Sequence, residues 1–414
     1  MREFYFRDTC RLCKANDLRL VFSLTPTPPG NHLVTAERLD EKQKCYPLDV
    51  YFCNYCTHLQ LGHVVNPEIL YRKQYSYVSA TSPVFVRHLK DFAYGITDRY
   101  RLNPGGLVID VGSNDGTALR FFQEQGYRVL GIDPATEIAE GANRSGIETL
   151  CEFFGLELAE KFAPRYGPAA LITAHNSFAH INDLETAVKG ARRWLADDGL
   201  LVVEVGYLLD VYRNMWFDTI YHEHLDFHSV APFVAFFARL GMQVVEVIRT
   251  SSQGGSIRVI VQKDGGGHPV NESVQELIAL EHRAGLHDAE SFVKYGERIE
   301  GVKEKLTGLL AEVAREGKSV AGFGAPTKAT TLLYHFNLAS ALAFLVDENP
   351  LKQGMYTPGS HIPVYSAEAV YERRPDYLLI LAWNFAEDIM RRHSKYRDMG
   401  GHFIVPMPEA RIIA

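Results

Sequence analysis

A short apolar run that ends in a glycine-rich turn restricts the fold of this chain more than any other stretch. Residues 107–109 have the composition of a buried parallel strand, and residues 117–124 have the amphipathic pattern of a helix. The turn between them is rich in Gly, Ser, Asn and Asp. Glycine lets the backbone approach a ligand closely, and the first N–H groups of a helix bind polar groups. The unit therefore predicts an α/β fold with a small-molecule site at the end of the strand.

The next strand indicates what kind of molecule this site binds. It is predicted over residues 128–132 and ends at Asp133, where a carboxylate can accept hydrogen bonds from both hydroxyl groups of a ribose. A dinucleotide-binding turn needs Gly-x-Gly-x-x-Gly, whereas this turn has Gly112 and Gly116 with Asp110 before them. The pattern resembles that of S-adenosylmethionine-dependent methyltransferases with a Rossmann-like core. A nucleotide-binding turn of another kind is the alternative.

Length and charge restrict the class of protein. A chain of 414 residues is long enough for two or three domains, and its net charge of −7 argues against a general nucleic-acid binder. Residues 1–11 are charged and aromatic, and no apolar run reaches the roughly 18 residues that a bilayer span needs. We therefore expect a cytoplasmic protein, whose cysteines are metal ligands or free thiols rather than disulfides.

Four of the six cysteines form two Cys-x-x-Cys pairs near the N-terminus. Two such pairs in a cytosolic protein predict one structural zinc ion with tetrahedral ligands. A redox-active dithiol is the alternative, but it requires one pair beside a βαβ unit. Residues 25–30 are expected to be an inserted loop, and Cys45 and His58 are expected to be neighbours rather than substitute ligands. The predicted ligands are Cys10, Cys13, Cys53 and Cys56.

The segments on either side of the glycine-rich turn complete one domain. Residues 66–100 are predicted to be helical apart from residues 75–82. The two Tyr and four Ser or Thr side chains of that stretch would suit a sugar-binding pocket. Residues 105–264 alternate strands and helices. Further strands are predicted over residues 169–174, 200–205, 243–249 and 256–262, of which the last two form an antiparallel hairpin.

Residues 217–228 contain three His and several carboxylates, and this pattern has three interpretations. His side chains two residues apart share one face of a strand and could bind a metal ion. The segment could instead be a polar loop whose imidazoles are hydrogen-bonded. The third interpretation is a general base that is oriented by a carboxylate and lies beside a Tyr donor. Composition alone does not choose among the three.

A set of motifs in a fixed order resembles one family along nearly the whole chain. The two Cys pairs are followed by Asp-x-Gly-x-x-Asp-Gly at residues 110–116 and by Tyr-His-Glu-His at residues 221–224. Further motifs are Gly-Phe-Gly-Ala-Pro-Thr-Lys-Ala-Thr at 322–330, Asp-Glu-Asn-Pro at 347–350, Pro-Gly-Ser-His-Ile-Pro at 358–363 and Leu-Ala-Trp-Asn at 381–384. Together they resemble the three-domain sugar C-methyltransferases that act on nucleotide-activated deoxysugars. The chain departs from that family at residues 26–31, which carry more prolines.

The resemblance implies three domains and a set of site residues. The domains are a zinc-binding domain over residues 1–74, a class I Rossmann-like methyltransferase core over residues 75–264, and a Rossmann-like α/β domain over residues 265–414 that contributes to sugar-nucleotide binding. His224 is implied to be the catalytic base, and the other catalytic residues implied are Tyr77, His180, Tyr221 and Glu223. The expected cofactor-binding residues are Asp110, Gly112, Asn114, Gly116, Asp133, His175 and Asn176. The expected substrate-binding residues are Tyr75, Ser79, His222, Lys328 and Asn384.

A second α/β pattern begins at residue 318. Strands are predicted over residues 319–323, 343–346 and 377–381, and amphipathic helices over residues 274–283 and 292–315 should brace this domain. The turn at residues 324–327 imitates a dinucleotide fingerprint, but Thr327 occupies the third Gly position. We interpret the turn as a cradle for the substrate's diphosphate, with Lys328 as counter-charge. A purely structural turn is the alternative.

The expected reaction is transfer of a methyl group from S-adenosylmethionine to a ring carbon, C-3 in preference to C-5, of a dTDP- or GDP-linked 4-keto-deoxysugar. The resemblance implies an enolate formed by a His base, with Tyr77 or Tyr221 as donor to the enolate oxygen and Glu223 orienting an imidazole or binding the sugar. Structural Zn²⁺ is the second cofactor; no nucleic-acid or membrane partner is expected, and the chain should be a monomer or homodimer. The alternatives are an NAD(P)-dependent sugar-nucleotide oxidoreductase and a non-catalytic binding protein on a methyltransferase fold.

Overall fold

The computed structural model of the chain describes residues 2–72 and 78–413. Within these ranges the chain forms a four-stranded sheet near its N-terminus, a seven-stranded sheet in the middle and a six-stranded sheet near its C-terminus, with a further two-stranded sheet. The α/β class predicted from the sequence is confirmed. Tyr75 and Tyr77 lie outside the described residues. Across the two described ranges, no helix combines the length and the apolar character that a bilayer span requires.

The N-terminal sheet is antiparallel and takes one strand from the middle of the chain. Residues 25–27 continue a strand rather than begin a loop, so the prediction of an inserted loop from residue 25 is wrong; Thr27 still pairs with Tyr46 across the hairpin. The short strand contributed by the histidine-rich segment is Asp226–Phe227. Across this sheet the strands are Asp226–Phe227, Leu59–Leu61, Tyr46–Cys53 and Leu18–Thr27, and the two-stranded sheet is Phe4–Phe6 with His63–Val65.

The central sheet has five parallel strands and an antiparallel hairpin at one edge. In their order across the sheet, the strands are Met242–Thr250, Ser256–Lys263, Leu195–Gly206, Ala169–His175, Leu107–Val111, Arg128–Ile132 and Thr149–Leu150. The strand order reverses between Leu107–Val111 and Ala169–His175. In parallel sheets, ligands bind outside the carboxyl ends of the strands at such a point.

Helices cover both faces of the central sheet. Alternate residues of a strand point to opposite faces, and Ile109 and Ile172 belong to one apolar core whereas Val108 and Leu171 belong to another, with Phe92. All five residues of the strand Leu107–Val111 are buried, as expected of a strand that is covered on both faces. The helices of this region are Pro83–Arg99, Thr117–Glu124, Thr136–Arg144, Leu156–Tyr166, Leu184–Trp194, Leu208–Arg213 and Val230–Arg239.

The C-terminal sheet is parallel except for its last pair of strands. Its strands, in order across the sheet, are Val364–Tyr365, Leu345–Val346, Val320–Phe323, Tyr377–Ile380, His402–Val405 and Arg411–Ile413. The helices that follow the central sheet in the chain are Ser273–Arg283, Ala289–Arg315, Ala329–His335, Ala369–Arg373, Ala386–Arg392 and Ser394–Asp398. The 27-residue helix Ala289–Arg315 packs on the N-terminal sheet, where the rings of Phe292 and Phe52 are 5.6 Å apart. Because this helix leads into the C-terminal sheet, its packing brings the N-terminal sheet next to the C-terminal region.

Candidate active site

A cavity of about 710 Å³ lies where the N-terminal, central and C-terminal regions meet. Cavities of this size hold small molecules. Among the residues that line it are Asn31 and Tyr71 from the N-terminal region, Asp110, Asp133, His180, Tyr221, Glu223 and His224 from the central region, and Thr327, Lys328, Lys352 and Asn384 from the C-terminal region. The cavity therefore collects most of the described site residues that the sequence predicts.

The glycine-rich turn forms one end of the cavity, and its backbone requires glycine. Gly112 and Gly116 have φ angles of 73° and 78°, in the left-handed region that other residues rarely adopt. A Cβ atom on Gly112 would lie only 2.5 Å from the Cβ of Ser177. Asn114 is also left-handed, with a φ of 51°. These conformations turn the backbone N–H of Asn114 toward the next strand.

Asp133 accepts a hydrogen bond from that N–H and faces the cavity. Its Oδ2 accepts a hydrogen bond from the Asn114 N–H at 2.9 Å, and its Oδ1 accepts one from the Ala135 N–H at 2.9 Å. Burial raises the pKa of Asp133, and the two backbone donors oppose that shift. Each carboxylate oxygen accepts more than one hydrogen bond, so the group can still accept ligand hydroxyls. The position suits a ribose diol.

Acidic groups also lie at the ends of the neighbouring strands. Asp110 accepts a hydrogen bond from the Thr173 hydroxyl at 2.7 Å, and its Oδ1 lies 3.4 Å from Nδ1 of His175. Burial alone would raise the pKa of Glu204, but the hydrogen bond from His88 and nearby positive charges lower it to about 2. The backbone N–H of Asn176 donates to the Glu204 carbonyl oxygen at 2.7 Å. A carboxylate at Asp110 can accept hydrogen bonds from the ammonium group of an amino-acid ligand.

Ser79 lies directly against the glycine-rich turn. Its backbone N–H donates to the side-chain oxygen of Asn114 at 2.8 Å, and the Ala80 N–H donates to Asp115 at 3.1 Å. The Ser82 hydroxyl then accepts a hydrogen bond from the Phe85 N–H and caps the helix Pro83–Arg99. The segment from residue 78 onward is therefore held to the turn, and Ser79 lines the cavity.

His224 and Tyr221 form a hydrogen-bonded pair that faces the cavity. Nδ1 of His224 lies 2.7 Å from the Thr219 carbonyl oxygen, which can only accept, so Nδ1 carries the hydrogen and Nε2 has the lone pair. Nε2 lies 2.9 Å from the Tyr221 hydroxyl, which therefore donates. Burial lowers the pKa of His224 to about 4, although the Thr219 hydrogen bond opposes the shift. At neutral pH the pair presents an unprotonated nitrogen beside an O–H donor.

The Tyr-His-Glu-His motif is a turn, and its geometry separates the histidines. The N–H of His224 donates to the Tyr221 carbonyl oxygen at 2.9 Å, and such a turn brings its first and fourth residues together. His222 faces the other way, with Nε2 3.1 Å from the Tyr46 carbonyl oxygen, and is not among the lining residues. His228 stacks on Phe233 at 4.3 Å. The strand assumed for a metal site at His222 and His224 is therefore wrong, and His222 is not brought to the cavity.

Glu223 takes part in a hydrogen-bond chain that joins all three regions. The side-chain amide of Asn31 donates to its two carboxyl oxygens at 2.9 and 3.1 Å and accepts a hydrogen bond from the Thr327 hydroxyl at 2.6 Å. Burial raises the pKa of Glu223 to about 8, although Asn31 opposes the shift. The carboxyl group is therefore protonated in most molecules at neutral pH. The carboxyl group is hydrogen-bonded to the amide of Asn31 and not to an imidazole, which favours a contact with the ligand over an orienting role.

His180 completes this side of the cavity. It ends the short 3-10 turn Phe178–His180, and its ring centre lies 5.1 Å from that of His224. Its other face stacks on Tyr71 at 5.9 Å with 16° between the planes. Burial holds the pKa of His180 well below its usual range. The structure thus brings a second neutral imidazole beside the first.

The C-terminal side of the cavity has two lysines, which lie at different distances from a carboxylate. Nζ of Lys328 lies 3.0 Å from Oδ2 of Asp218, whose side chain is fully buried, and 4.4 Å from the centre of the Trp383 ring. Lys352 donates to the Ala325 carbonyl oxygen at 2.8 Å and lies 3.7 Å from Asp347. An ammonium group has three donors, so Lys352 keeps a donor for a ligand.

Several lining residues give no signal in a local sequence pattern. Asn31 lies in the loop where the prolines depart from the expected pattern, Tyr71 follows no motif, and Lys352 lies just beyond a recognised motif. Their approach to the cavity depends on contacts between distant segments. Asn384 is brought to the cavity as its motif predicts.

The four predicted zinc ligands are brought together by two similar turns. The Sγ atoms of Cys10 and Cys56 are 3.5 Å apart, those of Cys13 and Cys53 are 3.6 Å apart, and all four lie within 4.8 Å of one another. Zn–S bonds of about 2.3 Å in a tetrahedron place sulfurs about 3.8 Å apart. In each turn the residue after the second Cys is left-handed, Lys14 with a φ of 65° and Thr57 with a φ of 64°. Over residues 2–72 and 78–413, these cysteines are the one group of three or more His, Cys, Asp or Glu close enough to hold a metal.

Solved structures resemble part of this fold. One is an S-adenosylmethionine-dependent methyltransferase from Clostridium acetobutylicum ATCC 824, with 11% identity and a TM-score of 0.35 over 44% of this chain and 92% of the other. Another is magnesium protoporphyrin IX methyltransferase from Synechocystis PCC 6803 with bound S-adenosylmethionine, with 13% identity and a TM-score of 0.33 over 43% of this chain and 79% of the other.

Sequence comparisons cover nearly the whole chain. Family models match residues 10–71 as a proposed zinc binding domain, residues 85–247 as a methyltransferase domain and residues 251–408 as a C-methyltransferase C-terminal domain. The chain is 37% identical over 408 residues to the C-methyltransferase NovU of Streptomyces niveus, and the match covers 98% of this chain and 97% of that protein. The three matched segments follow the order of the three regions round the cavity.

Proposed function

We infer that this chain, which belongs to the family of three-domain S-adenosylmethionine-dependent C-methyltransferases, methylates a carbon atom of a nucleotide-linked sugar. The acceptor is a ring carbon beside the ketone of a 4-keto-deoxysugar, C-3 in preference to C-5, carried by dTDP or GDP. The observation that carries the proposal is the Tyr221–His224 pair, which faces one cavity together with Asp133.

The chemistry of the pair suits a carbon acceptor. Bound S-adenosylmethionine supplies a methyl group to a nucleophile. A ring carbon becomes nucleophilic when a base removes its hydrogen and the adjacent ketone takes up the charge as an enolate. Nε2 of His224 accepts that proton, and the Thr219 carbonyl oxygen keeps the ring oriented throughout.

The Tyr221 hydroxyl supplies the second function. It donates to Nε2 of His224, and a substrate ketone offers it a new acceptor. When the phenol turns to the ketone oxygen, it frees the lone pair of His224 and stabilises the charge that develops on oxygen. The low pKa of His224 keeps the base unprotonated beforehand, and the enolate then favours the imidazolium because opposite charges attract.

The cofactor prediction concerns Asp133. Replacing it with Ala should weaken the binding of S-adenosylmethionine by about 1.5–3 kcal/mol, because a hydrogen bond to a charged group contributes about that much free energy. Titration calorimetry measures the affinity. Asp133→Asn keeps an acceptor oxygen and should lie between the wild type and Asp133→Ala. An unchanged affinity in Asp133→Ala would mean that the cofactor's ribose binds elsewhere.

The diphosphate of the substrate is assigned to Lys352. Lys328 forms an ion pair with the buried carboxylate of Asp218, and burial lowers the pKa of the lysine. Its charge therefore compensates that of Asp218. Lys352 lies farther from its carboxylate partner, 3.7 Å from Oδ2 of Asp347, and its shortest contact is with a neutral carbonyl oxygen of the turn at residues 324–327. Phosphate oxygens bound at this turn would accept hydrogen bonds from the remaining N–H groups of Lys352.

The affinity for nucleoside diphosphates tests this assignment. Lys352→Met should weaken the binding of dTDP or GDP by about 10- to 100-fold, since a charged hydrogen bond contributes about 1.5–3 kcal/mol. Binding of the nucleoside alone should be unchanged. The matched variant Lys328→Met should instead lower the melting temperature, because it leaves Asp218 buried without a counter-ion. A diphosphate-specific loss in Lys328→Met but not in Lys352→Met would reverse the assignment.

The proposed reaction is tested by incubation with S-adenosylmethionine and a panel of nucleotide-linked 4-keto sugars, followed by mass spectrometry. One panel member should gain the mass of a methyl group, and nuclear magnetic resonance should locate that group on carbon. Methylation on oxygen or nitrogen would refute the proposed acceptor.

A further inference from the structure

A buried charged pair joins the first cysteine turn to the neighbourhood of His224. Arg11 lies between the ligands Cys10 and Cys13, and Asp226 follows His224 by two residues. Both side chains are fully buried, and Nε of Arg11 lies 3.8 Å from Oδ2 of Asp226. Burying two charges costs free energy that their attraction often fails to recover. The burial of this pair is therefore weak evidence that it stabilises the fold.

The backbone of Leu225, the residue directly after His224, is held from both sides. The N–H of Leu225 donates to the Ala179 carbonyl oxygen at 2.8 Å. Its carbonyl oxygen accepts from the Leu61 N–H at 2.9 Å and from Nη1 of Arg11 at 3.3 Å. Nη1 of Arg11 also donates to the Leu61 carbonyl oxygen at 2.8 Å. The guanidinium thus links the Leu225 carbonyl oxygen to the N-terminal sheet.

The second cysteine turn reaches the same carboxylate. His58 follows Cys56 by two residues, and its Nε2 lies 2.7 Å from Oδ1 of Asp226. The His58 carbonyl oxygen accepts from the N–H of Cys53 at 2.8 Å. Both metal-binding turns therefore contact Asp226.

We propose that Arg11 and Asp226 are positioning residues that transmit the geometry of the two zinc-binding turns to His224. They fix the backbone of Leu225 and, through it, the direction of the His224 imidazole; this role rests on the proposed function of His224 as the base. A misplacement of a reacting group by about 1 Å can cost about 100-fold in rate. Loss of the pair should therefore appear in turnover rather than in cofactor affinity.

The test is the double variant Arg11→Met/Asp226→Leu, because apolar residues of similar size often replace a buried ion pair without loss of stability. The variant should bind zinc and S-adenosylmethionine as the wild type does, yet turn over at saturation about 10- to 100-fold more slowly. Nuclear magnetic resonance gives a readout that needs no substrate. The ring signals of His224 should shift in the variant, because the imidazole is then no longer held in the direction that its hydrogen bond to the Thr219 carbonyl oxygen requires. Arg11→Lys keeps the charge and should retain part of the turnover.

The control is Arg99→Met/Glu246→Leu, which removes an ion pair of the central domain away from the cavity lining and should leave turnover unchanged. Turnover and His224 ring signals like those of the wild type in Arg11→Met/Asp226→Leu would overturn the positioning role. A variant that neither folds nor binds zinc would also overturn it, since the pair would then serve the fold alone. If the wild type methylates no nucleotide sugar, the proposed function fails, and the ring signals of His224 still decide the positioning role.

Discussion

Replacing His224 with Asn should lower turnover by roughly 10²- to 10⁴-fold, the usual contribution of a general base, while both ligands still bind. Asn keeps a polar side chain in the turn but offers no nitrogen lone pair to accept a proton. Steady-state kinetics with calorimetry for each ligand separates loss of chemistry from loss of binding. In the wild type, the acid limb of the rate should fall near pH 4, because burial lowers the pKa of His224 to about that value.

His222→Asn is the matched control for this variant. It removes a buried imidazole two residues away that contacts the Tyr46 carbonyl oxygen and lies outside the cavity lining. Its turnover should stay close to that of the wild type even if the protein becomes less stable. Equal losses in the two variants would indicate damage to the turn rather than removal of a base. Full activity in His224→Asn would move the base to His180 or Glu223.

Loss of the zinc ligand Cys53 should have the largest effect on stability. Structural zinc contributes about 10–16 kcal/mol in small zinc domains, and that free energy supports the folded state. Cys53→Ser should therefore lower metal content, solubility and melting temperature together. Metal analysis of the wild type should give one zinc per chain, bound by Cys10, Cys13, Cys53 and Cys56.

Cys45→Ser provides the control for the metal prediction. Cys45 is exposed and does not belong to the four-cysteine group. The variant should keep its zinc and its melting temperature. Active wild-type protein without zinc would refute a structural metal site, and equal destabilisation of the two variants would refute the assignment of its ligands.

The strand–turn–helix units could be predicted because their signals are local. The predicted helix at residues 117–124 and the strand at residues 128–132 match Thr117–Glu124 and Arg128–Ile132 in the structure. In each unit the apolar period and the glycine positions indicate the element without any information on distant contacts. The Cys-x-x-Cys turns are local in the same sense, and they brought the four sulfurs together as expected.

Contacts between distant segments could not be predicted in this way. From its own motif, Lys328 was predicted to be a counter-charge for the substrate's diphosphate. In the structure it forms an ion pair with Asp218, 110 residues earlier. Asn31 reaches Glu223 across 192 residues, and no pattern within its loop indicates that contact. The Tyr-His-Glu-His motif was compatible with a strand, and the turn that separates His222 from His224 became evident only from its hydrogen bonds.

The central claim is that His224 forms an enolate before carbon methylation. The most direct test is hydrogen exchange at the carbon beside the substrate ketone, measured in deuterated water without methyl donor. The account predicts that the wild type catalyses incorporation of deuterium at that carbon and that His224→Asn does not. Exchange at equal rates in the two proteins would contradict it.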